Sequence, residues 1–595
     1  MIKTASGPEK SFEQGKYQEV LEKLDGKKQL SHSDITALIG AHAFLGNLEE
    51  AVDLWEIHNQ QLNEIQKTRC RFCLGVAATR VSKLKWARRQ FRTNYAQAKD
   101  DSLAYAYQGI AFYLYFVGRF SRAKMWVRKA LKASLASGDG YIRFLATDLL
   151  GHCTVQLGSR AEGLHLLEEA KKLAEVHGNL NFAHAFASSS LIYAAEAGWR
   201  PDTMSAELEE TLRDLDVQDS YTRNNLVLEL SRQWTLRGKW KQARELLDRE
   251  SSGIYAFGNR RQEFVLQMRL AEIAYRQGDK FAVSHFLQSG RRCLNKISDR
   301  AFEIRQLGLE LKFRKLYGGS TKDIEKQLYQ LSEEHSSRIN DQIMFRLGGG
   351  KNPRTSASED PIYHLYLQAK ENPKRAAEKA LEIGYLSLWT EFQGLKPGSS
   401  FFHVLEDGTS VVVGSVSQVV YRPKALTHQY LKIIQALKNG QGTKEDLINK
   451  VWGYEYDPAR HDSSVYSSIA KLRKILEPQS EWIKTTDTGW ELYPEVEWSL
   501  PKMAGAKAPK AIPQPMLQMD PSDPVQLDWA KNLNFRQIRA LRERPQEGFW
   551  SIKNYKQLFK VSTMTAFRDL TGLLEGKFLI QSGRGRATRY HIRGE

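Results

Sequence analysis

Cysteine is scarce: four residues in a chain of 595. Disulfides therefore cannot staple it, and stability must come from buried apolar surface. No run of 18 apolar residues occurs, which excludes an ordinary membrane-spanning helix and leaves no membrane partner expected. The N-terminus shows no signal pattern, because Met1-Ile2-Lys3-Thr4 leads into Gly, Glu and Lys; a cytoplasmic protein is expected. Catalytic constellations are missing too. Gly348-Gly349-Gly350-Lys351-Asn352-Pro353 departs from a phosphate loop, since Phe345 stands where the leading Gly belongs and Asn352 replaces the Ser or Thr after Lys. It reads as a flexible loop. Cys70 and Cys73 have no second Cys or His pair to complete four ligands, so they read as core-facing residues rather than a redox pair or half a zinc site. No enzyme, cofactor or metal is expected.

Positive charge is plentiful. Lys and Arg number 87 against 69 Asp and Glu, for a net charge of +18, which suits a polyanionic partner and equally a soluble basic protein. The excess is uneven. Residues 531–595 carry 14 Lys and Arg against 5 Asp and Glu, whereas residues 421–500 carry 11 against 11. Because affinity for DNA comes largely from phosphate neutralisation, the last stretch is expected to bind DNA more strongly.

The length suits about four domains. Through residues 1–320 glycine recurs at Gly118, Gly158, Gly198, Gly238, Gly278 and Gly318, a spacing of 40, preceded by Gly15, Gly46 and Ser82 at shorter intervals. An aromatic or Leu often follows at the second position and a small or apolar residue at the fifth, as in Gly15-Lys16-Tyr17 with Val20, Gly46-Asn47-Leu48 with Ala51, Gly118-Arg119-Phe120 with Ala123, and Gly238-Lys239-Trp240 with Ala243. This pattern resembles the tetratricopeptide repeat in a longer form found in bacterial regulators. The resemblance implies an α-solenoid of paired helices with Gly in the tight turn and a groove for a peptide or protein ligand. The family's late Pro is missing from most repeats. Tyr105, Tyr107, Tyr113 and Tyr115, with Phe112 and Phe116, read as repeat core, with the lining of a peptide pocket as the other reading. Arg88-Arg89 and Arg260-Arg261 read as solvated faces.

Two winged-helix patterns occupy the C-terminal part. In the first, Phe401–Val404, Ser410–Val413 and Gln418–Tyr421 read as strands, with Asp407-Gly408 as a hairpin turn. Leu426-Thr427 precede a helix with Tyr430, Ile433, Ile434 and Leu437, and Thr443 with Asp446 forms a capping box leading to Val451-Trp452-Gly453. Ser463–Leu476 is the candidate recognition helix. Its stripe of Val465, Ile469, Leu472 and Leu476 turns Ser463, Ser467, Ala470, Lys471 and Lys474 outward. Ile483-Lys484-Thr485-Thr486-Asp487-Thr488-Gly489-Trp490-Glu491-Leu492 is the wing. This resembles the OmpR/PhoB-type winged helix, with serines where that family's recognition helix is richer in Arg and His. The resemblance implies DNA contacts at Ser463, Ser467, Lys471, Arg473, Lys474, Thr486 and Thr488, with protein docking as the alternative for this near-neutral domain.

In the second pattern, helices begin at Asn534 and Ser551, and Ser562 caps Thr563–Leu574. Ala566, Leu570, Leu573 and Leu574 share its inner face while Met564, Thr565 and Arg568 point away. Gly576 is expected to end it as a left-handed C-terminal glycine. Phe578–Ile580 and Thr588–Ile592 flank the turn Ser582-Gly583-Arg584-Gly585-Arg586. This resembles the winged helix of DeoR-type regulators, also seen at the C-terminus of many Fic proteins; the Fic catalytic loop is absent. The resemblance implies DNA contacts at Ser562, Met564, Thr565, Arg568, Arg584, Arg586 and Arg589.

The expected fold is mainly α: a solenoid of tetratricopeptide-like repeats over 1–320, a helical extension over 321–395, an OmpR/PhoB-type winged helix over 396–498, a Pro-rich linker over 499–524 and a DeoR-like winged helix over 525–595, each winged helix with a small β-sheet. The expected function is transcription regulation on double-stranded DNA, with homo-oligomerisation open. The alternative is a non-enzymatic assembly adaptor whose winged helices bind proteins.

Overall fold

The computed structural model describes residues 7–215, 219–297, 300–334, 360–501, 533–543, 545, 548–583 and 588–593. They fall in two compact units, Met1–Pro501 and Lys502–Glu595. The architecture is mainly helical with small sheets toward the C-terminus, as the sequence predicts. Among the described residues no helix is long and apolar enough to cross a membrane. The loop around Gly348-Gly349-Gly350 and all of the Pro-rich stretch beyond Pro501 lie outside the described residues.

The first unit begins as helices paired across tight turns: Leu103–Phe116 with Phe120–Ser137, Gly140–Gln156 with Arg160–His177, Leu180–Ala197 with Pro201–Asp214, Ser220–Leu236 with Trp240–Phe257, and Arg260–Gln277 with Lys280–Leu294. The turn residue within each pair is the periodic glycine, at φ between 73° and 100° for Gly118, Gly158, Gly198, Gly238 and Gly278. Ser82, in register with them, takes the same left-handed conformation at φ 62°. The flanking pattern is buried as the spacing predicts: Tyr17, Leu48 and Trp240 at the second position, and Val20, Ala51, Ala123 and Ala243 at the fifth. A second glycine series shares the forty-residue period, 20 residues out of step with the first. Gly138, Gly178 and Gly258 end the later helix of a pair, and the next residue, Asp139, Asn179 or Asn259, caps the helix that follows. Cys70 and Cys73 are buried in the core as expected, and burial pushes the Cys70 thiol up to about 12.

The pairs coil back on themselves. The turn at Gly15 meets Asn179, whose side-chain amide donates to Glu13 O at 2.8 Å. Arg260 N donates to Ser82 Oγ at 3.0 Å, and the Arg261 guanidinium reaches Phe116 O.

After residue 360 the chain returns along the row of turns. Its helices are Pro361–Glu371, Pro373–Glu382 and Leu386–Phe392. A Cβ on Gly198 would stand 2.6 Å from Ile362, one on Gly238 would stand 3.0 Å from Val419, and one on Gly278 would stand 2.8 Å from Gly398 Cα. The periodic glycines therefore do two things: they allow the turn, and they admit the returning backbone. Polar groups fix its register. Trp240 Nε1 donates to Ser387 Oγ at 2.8 Å. Arg160 faces Asp360 at 3.4 Å, and Glu391 lies between Arg276 at 2.6 Å and Lys312 at 2.8 Å.

Strands β1 (Ser400–Val404), β2 (Val411–Gly414) and β3 (Val419–Arg422) follow, close to the expected positions. Asp407 accepts from the Thr409 and Ser410 amides in the hairpin turn. β1 also pairs in parallel with a later strand, Val496–Ser499, which the sequence pattern does not reveal; the sheet order places that strand at one edge, next to β1, and β3 at the other. The expected boundary at 396 is not a seam in the packing. Phe401, Val412 and Val419 share one apolar core with Trp240, Leu386 and Trp389, and Val419 N donates to Gly238 O at 2.9 Å.

The second unit is a helix triplet, Phe535–Arg542, Ile552–Phe559 and Thr563–Glu575, with a two-stranded hairpin. Trp550, Tyr555, Ala566, Leu570, Leu573 and Tyr590 are central to its core. Gly576 does not take the left-handed position expected of it: its φ is −70°, and Lys577 carries the positive φ of 59°. A side chain at 576 would collide with the Phe578 ring, so glycine is needed there for space.

Two outcomes are expected. Gly138→Ala meets only open space and should cost about 1 kcal/mol of backbone strain. Gly278→Ala adds collision with Gly398 and should cost at least about twice that; equal losses in urea unfolding would mean the returning chain is not seated there. Burial opposes ionisation of Glu391, but Lys312 and Arg276 outweigh it and hold its carboxyl at about 2, from an ordinary 4.5. Its contribution is complete above the ordinary value and is lost as pH falls toward the folded one. The first unit should therefore weaken between about pH 5 and 2. Glu391→Gln should cost about 3 kcal/mol at neutral pH and flatten that acid slope, read from urea midpoints at both ends.

Candidate nucleic-acid interface

In the first unit three helices follow β3. Thr427 caps His428–Lys438. Thr443 and Asp446 form the expected capping box, with Asp446 N to Thr443 Oγ1 at 3.0 Å and Thr443 N to Asp446 Oδ2 at 3.3 Å. The third helix spans Pro458–Leu476, five residues longer at its start than the sequence pattern suggests. Asp457 caps it and Pro458 takes the first helical position, where a missing N–H costs nothing. Ser463 therefore lies in the second turn.

The helix buries Val465, Ile469, Leu472 and Leu476 as expected. Ser463, Ser467, Ala470, Lys471 and Lys474 are exposed on one side. Beside them stands the hairpin of β4 (Ile483–Thr485) and β5 (Trp490–Leu492). Thr486 is half-buried in its turn, donating through its amide to Gly489 O at 2.9 Å, while Thr488 is exposed. Trp490 N donates to Gly442 O at 3.0 Å. A Cβ on Gly442 or Gly489 would be driven into backbone carbonyl, which explains glycine at both places.

Arg473 has another task than the outward lysines. It donates to Ile483 O at 2.7 Å and 3.0 Å and to Thr485 Oγ1 at 2.7 Å. It fastens the hairpin to the helix, so a substitution there would misplace the hairpin. Tyr466, which pattern reading passes over, is 52% exposed on the same face. Its ring meets Trp490 edge-on at 5.4 Å and takes the Lys444 ammonium at 4.9 Å. The available signal is its place one residue before Ser467, at the edge of the outward stripe.

In the second unit Ser562 accepts from Thr565 N at 3.1 Å, and the two hydroxyls lie 2.9 Å apart. Thr565 is thus half-buried by capping. Met564 and Arg568 are exposed as expected, and Phe567, not foreseen, is 46% exposed beside them. The hairpin of β7 (Leu579–Ser582) and β8 (Arg589–Ile592), numbered after Val496–Ser499 as β6, carries Arg589 4.4 Å over the Phe549 ring. Arg584 and Arg586 lie outside the described residues.

The third helix is held by Asp569, a buried carboxylate that pattern reading misses. Its oxygens accept from Arg536 Nε at 2.7 Å, Asn534 Nδ2 at 2.8 Å and Tyr555 OH at 3.3 Å. Gln537 Nε2 donates to its carbonyl at 2.9 Å. One acid thus ties the first and second helices to the exposed one. The sequence signal is Asp at a position the 3.6-residue period assigns to the inner face.

The tyrosine cluster divides. Tyr105 is core, whereas Phe112, Tyr115 and Phe116 line a cavity inside the first unit.

Asp569→Ala should leave three donors without an acceptor and cost the second unit about 3 kcal/mol. Thermal unfolding of residues 525–595 checks this; a loss below about 1 kcal/mol would remove Asp569 from the supporting role.

No protein-family model and no curated protein matches the chain.

Proposed function

We propose that the chain is a non-enzymatic, cytoplasmic, DNA-binding transcription regulator. Its helical array, read as a solenoid of tetratricopeptide-like repeats, receives a ligand, and two winged helices contact promoter DNA. One observation carries the reading: in each unit a capped helix leaves a side that bears at least one basic residue exposed beside a β-hairpin. A helix of that kind fits the major groove while the hairpin reaches the flanking backbone. In the first unit the exposed set is Ser463, Ser467, Lys471 and Lys474. In the second it is Met564, Phe567 and Arg568, in a stretch rich in Lys and Arg. Exposed Met and Phe suit the apolar contact that thymine methyls offer.

The second reading is an assembly adaptor, favoured for the first winged helix by its balanced charge and by exposed Tyr454 and Tyr466. Both readings meet one experiment: fluorescence anisotropy of the full chain on a mixed-sequence duplex between about 50 and 200 mM salt. Binding should weaken steeply with salt. Arg568→Ala should weaken it on every sequence or relax base preference. Lys471→Ala with Lys474→Ala should lower the salt slope by about 0.9 for each phosphate that is no longer neutralised. An unchanged slope in the lysine variant would assign the first winged helix to a protein partner, and salt-independent binding would overturn the DNA reading.

A further inference from the structure

The coiled pairs of the first unit line a partly open cavity of about 300 Å³. It is lined mainly by the earlier helix of successive pairs, from Phe44 to Arg305. That volume lies at the small end of the range for small-molecule sites. It suits a compact ligand rather than a folded partner.

Aromatic rings and guanidiniums share the lining. The rings include Phe116, Phe182, Phe186, Tyr221 and Phe302. Arg261 packs between the Phe116 and Phe302 rings at 5.5 Å and 4.7 Å. Arg305 lies 5.7 Å from the Phe302 ring. Arg269 is loosely paired. Its side chain is 18% exposed, its nearest carboxylate oxygens, on Glu229 and Glu272, stand 3.9 Å away, and its Nε has no hydrogen-bond partner.

Glu229 is already taken. Its oxygens accept from Arg232 at 2.7–3.0 Å and from Gln233 at 2.9 Å. Asp148 lies 3.3 Å from His152 Nε2, and His152 Nδ1 lies 2.8 Å from Tyr193 OH. Glu196 is the third acid of the lining, which sets Asp148, Glu196 and Glu229 against Arg80, Arg261, Arg269 and Arg305 and leaves positive charge in excess by one. A buried guanidinium without a full set of acceptors is costly, and it is the donor geometry that carboxylates and related oxyanions fit best. Gln108, 3% exposed, leaves an unpartnered acceptor, Oε1, in the same lining, which suits an N–H or O–H on the body of the ligand and not its anionic group.

We propose that this cavity is a binding site for a small amphipathic anion, its flat apolar body against the aromatic rings and its single carboxylate, sulfonate or phosphate at Arg269 and Arg305. The proposal rests on reading the helical array as the receiving part of the chain. It does not depend on either winged helix contacting DNA.

The test uses the full chain and two probes of the same shape. 1-Anilinonaphthalene-8-sulfonate carries the anion, and N-phenyl-1-naphthylamine lacks it. The sulfonate should bind one saturable site and bind it better than the neutral amine. Arg269→Gln with Arg305→Gln should weaken the sulfonate by about tenfold or more, and the amine by less than about twofold. Ser189→Trp, which fills the cavity from its lining, should abolish both, with the melting temperature reporting that the fold is kept. Equal affinity for the two probes, or equal loss of both in the arginine variant, would overturn the anion site. Sulfonate binding that survives in a folded Ser189→Trp would place the probe elsewhere and overturn the cavity as the site. DNA anisotropy is measured separately, so failure here and failure of the DNA reading are told apart.

Discussion

Backbone meets backbone at Gly278 and Gly398, and the rest of the first unit depends on that approach. Gly398 N donates to Arg276 O at 3.0 Å, which is possible only because neither glycine carries a side chain. Gly198 and Gly238 receive Ile362 and Val419 in the same way. A turn that needed only a left-handed residue would accept Asn or, as at residue 82, Ser. These three must be glycine for a second reason, imposed by chain more than 100 residues later. Seated there, the returning segment covers apolar surface that the array alone would leave open, and it carries the first sheet into the same core.

Charge secures what the backbone contact begins. Glu391 between Arg276 and Lys312 is a compact cluster at the seat, and its value lies in register: a slipped segment would leave buried charge unpaired, which costs several kcal/mol. Asp569 does the equivalent in the second unit, where one carboxylate answers donors from two helices. The exposed helix Thr563–Glu575 thus has its place set by a buried polar group, and apolar packing alone would specify its orientation less sharply.

The helix Arg260–Gln277 links two parts of the first unit. Arg261 and Arg269 line the cavity, and Arg276 grips Glu391 and the Ser387 carbonyl. Seven residues of helix separate Arg269 from Arg276, a distance of about 10 Å. An occupant that drew Arg269 toward itself would therefore act on the element that holds the returning segment. The charge inventory of the sequence suggests polyanion binding in general; the structure divides that charge between exposed faces and the lining of a cavity.

Features set within a turn or two of helix are legible in the sequence. The forty-residue period, the left-handed Ser82, the capping box at Thr443, the inner stripe from Val465 to Leu476 and the hairpins at 483–492 and 579–592 all follow from neighbours close along the chain. The helix start at Pro458 is legible as well, from Asp457 and the proline, but the serine-rich run draws attention to a later residue. What tertiary structure decided involves partners far apart in sequence: Arg160 with Asp360, Trp240 with Ser387, Gly278 with Gly398. Arg473 belongs to the same class, since only the folded wing brings Ile483 O and Thr485 to its guanidinium. Local patterns specify which side of a helix is buried because that depends on spacing alone. They cannot specify what buries it, because that depends on how far each pair turns on the next, a small rotation summed over the whole array.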